Sequence, residues 1–320
     1  LTAALGGLLW LVFGCSPSIK KVENATIKQL NAIKGKGILF GHQDDLAYGV
    51  GWNGLDNESD VKRVTGDYPA LFGWELGGIE LKQPNNLDSV PFESIMKLAI
   101  KAFKMGGINT FSWHPYSPVK NLSAWAKDSI VVRDILPGGV YHKDFINQLD
   151  IVGNFFLSLK DDNGDVIPFI FRPWHEMDGT WFWWGQQGCS PEELKALFRF
   201  TVEYLRNEKG LVKMTVAYSP DKHYSDVSSY LTWYPGDDIV DILGTDNYYD
   251  FTQPDGVNTV IKKLRIVVEV AKAKNKLAAF TETGSSCLPD STWFTSKLGV
   301  VLSDSKINKN ISYVMVWRNA

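Results

Sequence analysis

Residues Ile167 to Gly185 read IPFIFRPWHEMDGTWFWWG, an apolar run that breaks off at Arg172, His175 and Glu176 and continues into four consecutive aromatics. A guanidinium, an imidazole and a carboxylate at the end of a buried strand could hold an anion, bind a metal or move a proton. A metal hydrolase would recruit His42, His114 and His175. However, the first strand candidate offers GHQDD with no second histidine two residues on, and His175-Glu176 lacks the second histidine of HExxH. No metal is therefore expected, and the histidines read as neutral hydrogen-bonding groups. A serine nucleophile lacks its GxSxG elbow; Ser285 and Ser286 follow a glycine outside that frame. The third chemistry is glycoside hydrolysis, which needs an acid/base and a second carboxylate flanking the scissile bond. Glu176 alone reads as an ion-pair partner of Arg172; the second carboxylate, Glu282 in KLAAFTE, makes catalysis the better reading. The aromatics Trp181 to Trp184 then have a use, since the flat C–H faces of a pyranose pack well on indole.

Eight short apolar segments, rich in β-branched and aromatic residues, can carry these groups: 37–42, 70–75, 108–114, 167–176, 213–219, 240–248, 276–282 and 311–317. Continuous apolar runs of this length suit parallel strands covered on both faces. Amphipathic segments separate them at 92–105, 143–159 and 257–274, and most clearly at 190–210. There Ser190 is the expected N-cap, Pro191 the first helical residue and Glu193 the partner in a capping box, with Gly210 ending the run. Eight strand-then-helix units predict an α/β fold, a (β/α)8 TIM barrel. An open doubly wound sheet is disfavoured because no GxGxxG follows the first strand. The C-terminal ends of the eight segments carry His42, Glu75, His114, His175 with Glu176, Ser219, Asp246 with Tyr248, Glu282 and Trp317. Barrel active sites are built on that face, where strands four and seven oppose one another.

The formal charge of −3, with no basic stripe, argues against a nucleic-acid partner. The 12 tryptophans and 12 tyrosines fit either an aromatic core or a groove that stacks flat ligands, and only their positions can decide. LTAALGGLLWLVFG at the start is short for a membrane span but suits the apolar region of a secretory signal. Leu11 to Cys15 resembles a bacterial lipobox, in which the cysteine is acylated. Export is expected, to the periplasm or cell surface, with membrane attachment through Cys15; soluble secretion is the alternative. The organisation expected is a leader at 1–15, a linker at 16–23 and a catalytic domain at 24–320. Cys189 and Cys287 could form a disulfide or remain two thiols.

FRPWHEMDGTWFWWG closely resembles the RPxHExxGxWFWWG signature of glycoside hydrolase family 26, chiefly endo-β-1,4-mannanases on barrels with glutamates on strands four and seven. The resemblance extends to GHQ, SWHP, DNYY, FTETG and VWRN. It implies that Glu176 is the acid/base and Glu282 the nucleophile. It further implies that His175 contacts the sugar at the cleavage point and that Tyr248 hydrogen-bonds the nucleophile. Trp181 and Trp317 would form sugar platforms, His114 would line the glycone side, and Arg172 would hold the acid/base region in place. The activity implied is retaining cleavage of β-1,4 linkages in mannan, glucomannan or galactomannan by a monomer, without a cofactor. β-1,3-Xylan or mixed-linkage glucan as substrate, and a non-catalytic carbohydrate-binding barrel, are the alternatives. Members of the family continue past VWRN into a closing helix, whereas this sequence ends at Ala320 and starts without Met. A partial sequence whose barrel lacks its final helix is therefore expected.

Overall fold

In the computed structural model, which describes residues 24–126 and 132–317, the eight apolar runs pair side by side into a closed parallel barrel. The strands are β1 (Leu39–Gln43), β2 (Leu71–Glu75), β3 (Ile108–Ser112), β4 (Phe169–Arg172), β5 (Met214–Tyr218), β6 (Ile242–Leu243), β7 (Leu277–Thr283) and β8 (Ile311–Val316). β8 returns to β1 in register, Leu39 opposite Tyr313, and β1 pairs onward with β2, Gly41 opposite Leu71, so no strand edge stays open. The helices of most consequence here are α1 (Ala25–Ile33), α2 (Asp60–Thr65), α3 (Phe92–Lys104), α4 (His142–Ser158), α5 (Pro191–Glu203) and α6 (Gly256–Ala273). The expected leader, linker and lipobox cysteine Cys15 lie outside the described residues, as do the last three residues, and no described helix follows β8.

Apart from Leu39 and Phe40 at the start of β1, which are half-buried, the strand residues are buried on both sides, which is why the runs are apolar without alternation. One face fills the barrel with Leu71, Ile108, Ile170, Ala217, Ile242, Leu277, Ala279 and Met315. The other packs on the helices; Phe111 and Phe169 meet edge to face at 5.7 Å, and Phe156 of α4 stacks on Phe169 at 4.2 Å. Helix α1 closes the base of the barrel. Asn24 caps it by accepting from the Thr26 N–H, and its Nδ2 donates to the Lys213 carbonyl just ahead of β5. Gln29 likewise donates to the Gly106 carbonyl ahead of β3, and Leu30, fully buried, joins the interior cluster. Leu30→Ala should therefore cost about 2–5 kcal/mol of stability. Thermal unfolding would show the loss, while turnover by the folded fraction stays unchanged because the site is at the other end.

Helix α5 begins as its sequence announces, with Ser190 and Glu193 forming a reciprocal capping box and Pro191 in the first turn. Two strand expectations are too long. The run 167–176 leaves the sheet after Arg172, where Pro173 has no N–H to donate, and residues 173–178 form turns. The run 240–248 contributes only Ile242–Leu243 and an isolated bridge between Asp246 and Glu282. Past it the chain turns because Asn247 caps Asp250 in both directions: its Oδ1 accepts from the Asp250 N–H at 3.2 Å and its Nδ2 donates to Asp250 Oδ2 at 2.6 Å. A hairpin unanticipated in the sequence, Tyr48–Gly49 with Trp52–Asn53, follows β1. Asp60 of α2 ties it down by accepting from Val50 N and Trp52 Nε1, both at 2.7 Å.

Candidate active site

Glu176 does not end a strand but sits four residues beyond β4, in a turn with two left-handed residues, Trp174 at φ 53° and Glu176 at φ 54°. Such backbone costs about 1–3 kcal/mol per residue and persists only where surroundings enforce it. Here the Glu176 N–H is held by the Ser219 carbonyl at 2.8 Å, and the Trp174 indole donates to Thr201 of α5 at 3.1 Å. Asp178 adds a second clamp, its two oxygens accepting from the N–H groups of Asp221 at 2.6 Å and His223 at 2.8 Å. The loop after β5 is thus bolted to the turn that presents Glu176. At Gly179 a Cβ would come within 2.4 Å of the Trp181 indole, so only glycine lets that ring lie back over the turn. Trp181 Nε1 then donates to Glu176 Oε2 at 2.6 Å.

Glu282, on β7, is buried and differently supplied. Its Oε1 accepts from the Tyr248 hydroxyl at 2.6 Å, and its Oε2 pairs with Arg172 Nη2. The other guanidinium nitrogen, Nη1, reaches Asp246 Oδ2 at 2.5 Å. Glu282 is therefore paired directly with a buried guanidinium and a phenol, while the Glu176 carboxyl is hydrogen-bonded by the Trp181 indole. Burial first, and the charges of Glu282, Asp221 and Asp246 after it, push Glu176 well above the ordinary carboxyl range, against the Trp181 hydrogen bond that opposes the rise. Burial and the adjacent Glu282 likewise keep Tyr248 protonated, and hence a donor. A carboxyl whose protonated form is favoured, beside one paired with an arginine, forms the pattern of an acid and a nucleophile.

Trp317, just past β8 and tied by its N–H to the Thr283 carbonyl at 2.8 Å, lines a cavity of about 410 Å³ with His42, Val50, Tyr248, Gly284 and Leu288. His114 lies across the mouth, its ring centroid 6.2 Å from that of Trp317 and stacked on the half-exposed Trp125 at 5.4 Å. Glu176, Glu282, His114, Trp181, Tyr248 and Trp317 thus meet at one end of the barrel.

These features match a known family over nearly the whole chain: the model for glycosyl hydrolase family 26 covers residues 16–315. The chain belongs to that family. A mannan endo-1,4-beta-mannosidase from Bifidobacterium adolescentis is 33% identical over 304 residues, which are 89% of this chain but 30% of that protein. A Bacillus subtilis protein of the same name is 28% identical over 77% of this chain and 65% of its own. The chain thus spans less than two thirds of the length of these curated relatives. Among solved structures, a family 26 beta-mannanase from Bacteroides ovatus superposes with a TM-score of 0.87 at 43% identity, covering 92% of this chain and 84% of that one. A Cellulomonas fimi endo-beta-1,4-mannanase double mutant gives 0.84 at 35%, over 92% and 68%.

Three expectations for this family 26 site need correction. The four aromatics are not a shelf: Phe182, Trp183 and Trp184 are buried, Trp183 donating to the Pro115 carbonyl and Trp184 to that of His175, both at 2.9 Å. They form the wall behind the turn, and only Trp181 reaches the cleft. Arg172 turns its planar fork to Glu282 and Asp246 rather than to the Glu176 carboxyl, and reaches the acid/base region through Ser219 Oγ, 3.3 Å from Nη1. His175, expected to touch the sugar, is fully enclosed, with Nε2 at 3.0 Å from His114 Nε2. Cys189 and Cys287 are both free thiols. Several carboxylates had no role in the sequence reading, among them Asp246, Glu75 beside His114, Asp178 and Glu80. Glu80 joins the loops after β2 and β3 by accepting from Trp113 Nε1 at 3.1 Å and Tyr116 N at 2.6 Å. The available signal for Asp178 was its place two residues after Glu176 within the same stretch.

Proposed function

We propose that this protein is a retaining glycoside hydrolase that cleaves β-1,4-mannosidic linkages in mannan, glucomannan or galactomannan. The observation that carries the chemistry is the unequal supply of the two carboxyls: Glu282 against Arg172 and Tyr248, Glu176 with its proton retained. In the first step Glu176 gives its proton to the glycosidic oxygen while Glu282 attacks the anomeric carbon, forming a glycosyl-enzyme and releasing the aglycone alcohol. In the second, ionised Glu176 takes a proton from water, whose oxygen displaces Glu282 and restores both groups. The roles of Trp181 and Trp317 are to pack sugar faces on either side of the scissile bond. The mannan preference is supported by the names of the relatives. An assay of reducing ends released from mannan, galactomannan, β-1,3-xylan and mixed-linkage glucan tests it. Faster cleavage of xylan or mixed-linkage glucan would remove mannan and leave the mechanism. No cofactor enters either step. Attachment to a membrane through lipidated Cys15 remains part of this reading and rests on the lipobox resemblance; incorporation of labelled fatty acid, lost in Cys15→Ala, tests it.

Because Glu176 must be protonated to act as the acid, activity is expected to fall as pH rises through its raised pKa. Trp181→Phe keeps the ring but removes the donor that favours the ionised form. The alkaline limb of kcat/KM should therefore move to higher pH in this variant. A limb that stays put would mean that Trp181 acts on the sugar alone.

A further inference from the structure

Glu75, the last residue of β2, is buried and spends both oxygens on named donors. Oε1 accepts from the N–H groups of Gly77 at 2.6 Å and His114 at 2.8 Å. Oε2 accepts from the Ser112 hydroxyl at 2.5 Å and from His114 Nδ1 at 2.8 Å. Burial opposes the charge of Glu75, but the His114 ring and these donors outweigh it and hold the carboxyl below its ordinary range. An ionised carboxylate only accepts, so His114 must carry hydrogen on Nδ1. The other edge of that ring meets His175, Nε2 to Nε2 at 3.0 Å, and one of these two nitrogens must supply the hydrogen between them. His175 is enclosed and faces the Arg172 guanidinium, so burial first and that charge second disfavour a second proton on its ring. If His114 carries a single hydrogen, that hydrogen is the one at Nδ1 already given to Glu75. In that state the bond runs from His175 Nε2–H to His114 Nε2, with no hydrogen on His175 Nδ1.

We propose that Glu75 is a positioning residue for the site: its carboxylate dictates which nitrogens of His114 and His175 carry hydrogen, and through that pair fixes the floor of the mouth. The chain of contacts runs from β2 through β3 to the turn after β4 and ends one residue before Glu176. Only its kinetic test rests on the reading of the mouth as a glycan cleft.

Glu75→Gln isolates the effect because it keeps the shape. The amide oxygen takes the Oε1 position, where two backbone N–H groups need an acceptor. The amide nitrogen then falls at Oε2, donating to Ser112 and His114. His114 Nδ1 must then be bare, so its hydrogen moves to Nε2 and that of His175 to Nδ1. Nitrogen NMR of ¹⁵N-histidine-labelled protein reads this directly, and with five histidines in the chain the resonances can be assigned by substitution. The wild type should show His114 protonated at Nδ1 and His175 at Nε2, and Glu75→Gln the reverse. On whichever glycan the wild type cleaves, kcat/KM of the variant should drop about ten- to a hundredfold, the scale known for losing the carboxylate that orients a metal-bound imidazole. The unfolding midpoint should stay close to that of the wild type. A wild-type His114 protonated at both nitrogens, or at Nε2 alone, would overturn the assignment whether or not the variant folds. Reversed tautomers with kcat/KM unchanged would overturn the positioning role. If the wild type cleaved no glycan, the proposed function would fall while the spectrum still decided the tautomers.

Discussion

Glu282→Ala is expected to reduce hydrolysis by about 10⁴- to 10⁶-fold, the scale seen when the attacking member of a catalytic unit is removed. Substrates with good and poor leaving groups should suffer alike, since no alternative nucleophile is in place. The barrel itself should survive, because Arg172 retains Asp246 at 2.5 Å as its counter-ion. Azide can occupy the space vacated and attack the anomeric carbon directly, giving a glycosyl azide of inverted, α configuration. The same variant should lower the pKa of Glu176, because the charge of Glu282 raises it, second only to burial. The azide-rescued reaction should therefore lose activity at a lower pH than the wild type does. A β-configured azide, or a loss confined to poor leaving groups, would assign the nucleophile elsewhere.

Glu176→Ala should behave differently, and the contrast between the two carries the assignment. Polymer hydrolysis should fall by about 10²- to 10⁴-fold, the contribution of a placed acid/base. An aryl glycoside whose leaving group needs no proton should still transfer its sugar to Glu282. The second step, now without its base, becomes rate-limiting, so a covalent adduct builds up on Glu282 and can be found by mass spectrometry. Azide then releases a product of retained, β configuration after two inversions. If this variant gave the α-azide, the two roles would be exchanged; if both variants kept most of their activity, neither carboxyl would be catalytic.

The barrel was legible because its signals are local. A capping box, a proline in the first turn and a run of buried β-branched residues each act within a few positions, and α5 and most of the strands appear close to where those patterns place them. The cluster at the mouth followed from the fold, since strand ends converge whatever residues they carry. What stayed hidden depends on direction and long range. Nothing around Arg172 tells that its fork closes on residues 74 and 110 positions away rather than on Glu176, four away. Four aromatics in a row look alike in sequence, yet the turn buries three and releases Trp181. β6 reads as a nine-residue strand by composition and pairs over two, because the Asn247 and Asp250 side chains compete for the backbone.

Helix α1 sets the polarity of the whole molecule. It enters at Asn24, fastened to the carbonyl that precedes β5, while the chain reaches Trp317 at the opposite pole, beside the two glutamates. Anything joined upstream of Asn24, whether an acyl anchor or another module, therefore connects at the pole farthest from the cleft. A tether there would leave the mouth turned outward, free to settle on a polymer too large to approach from the anchored side.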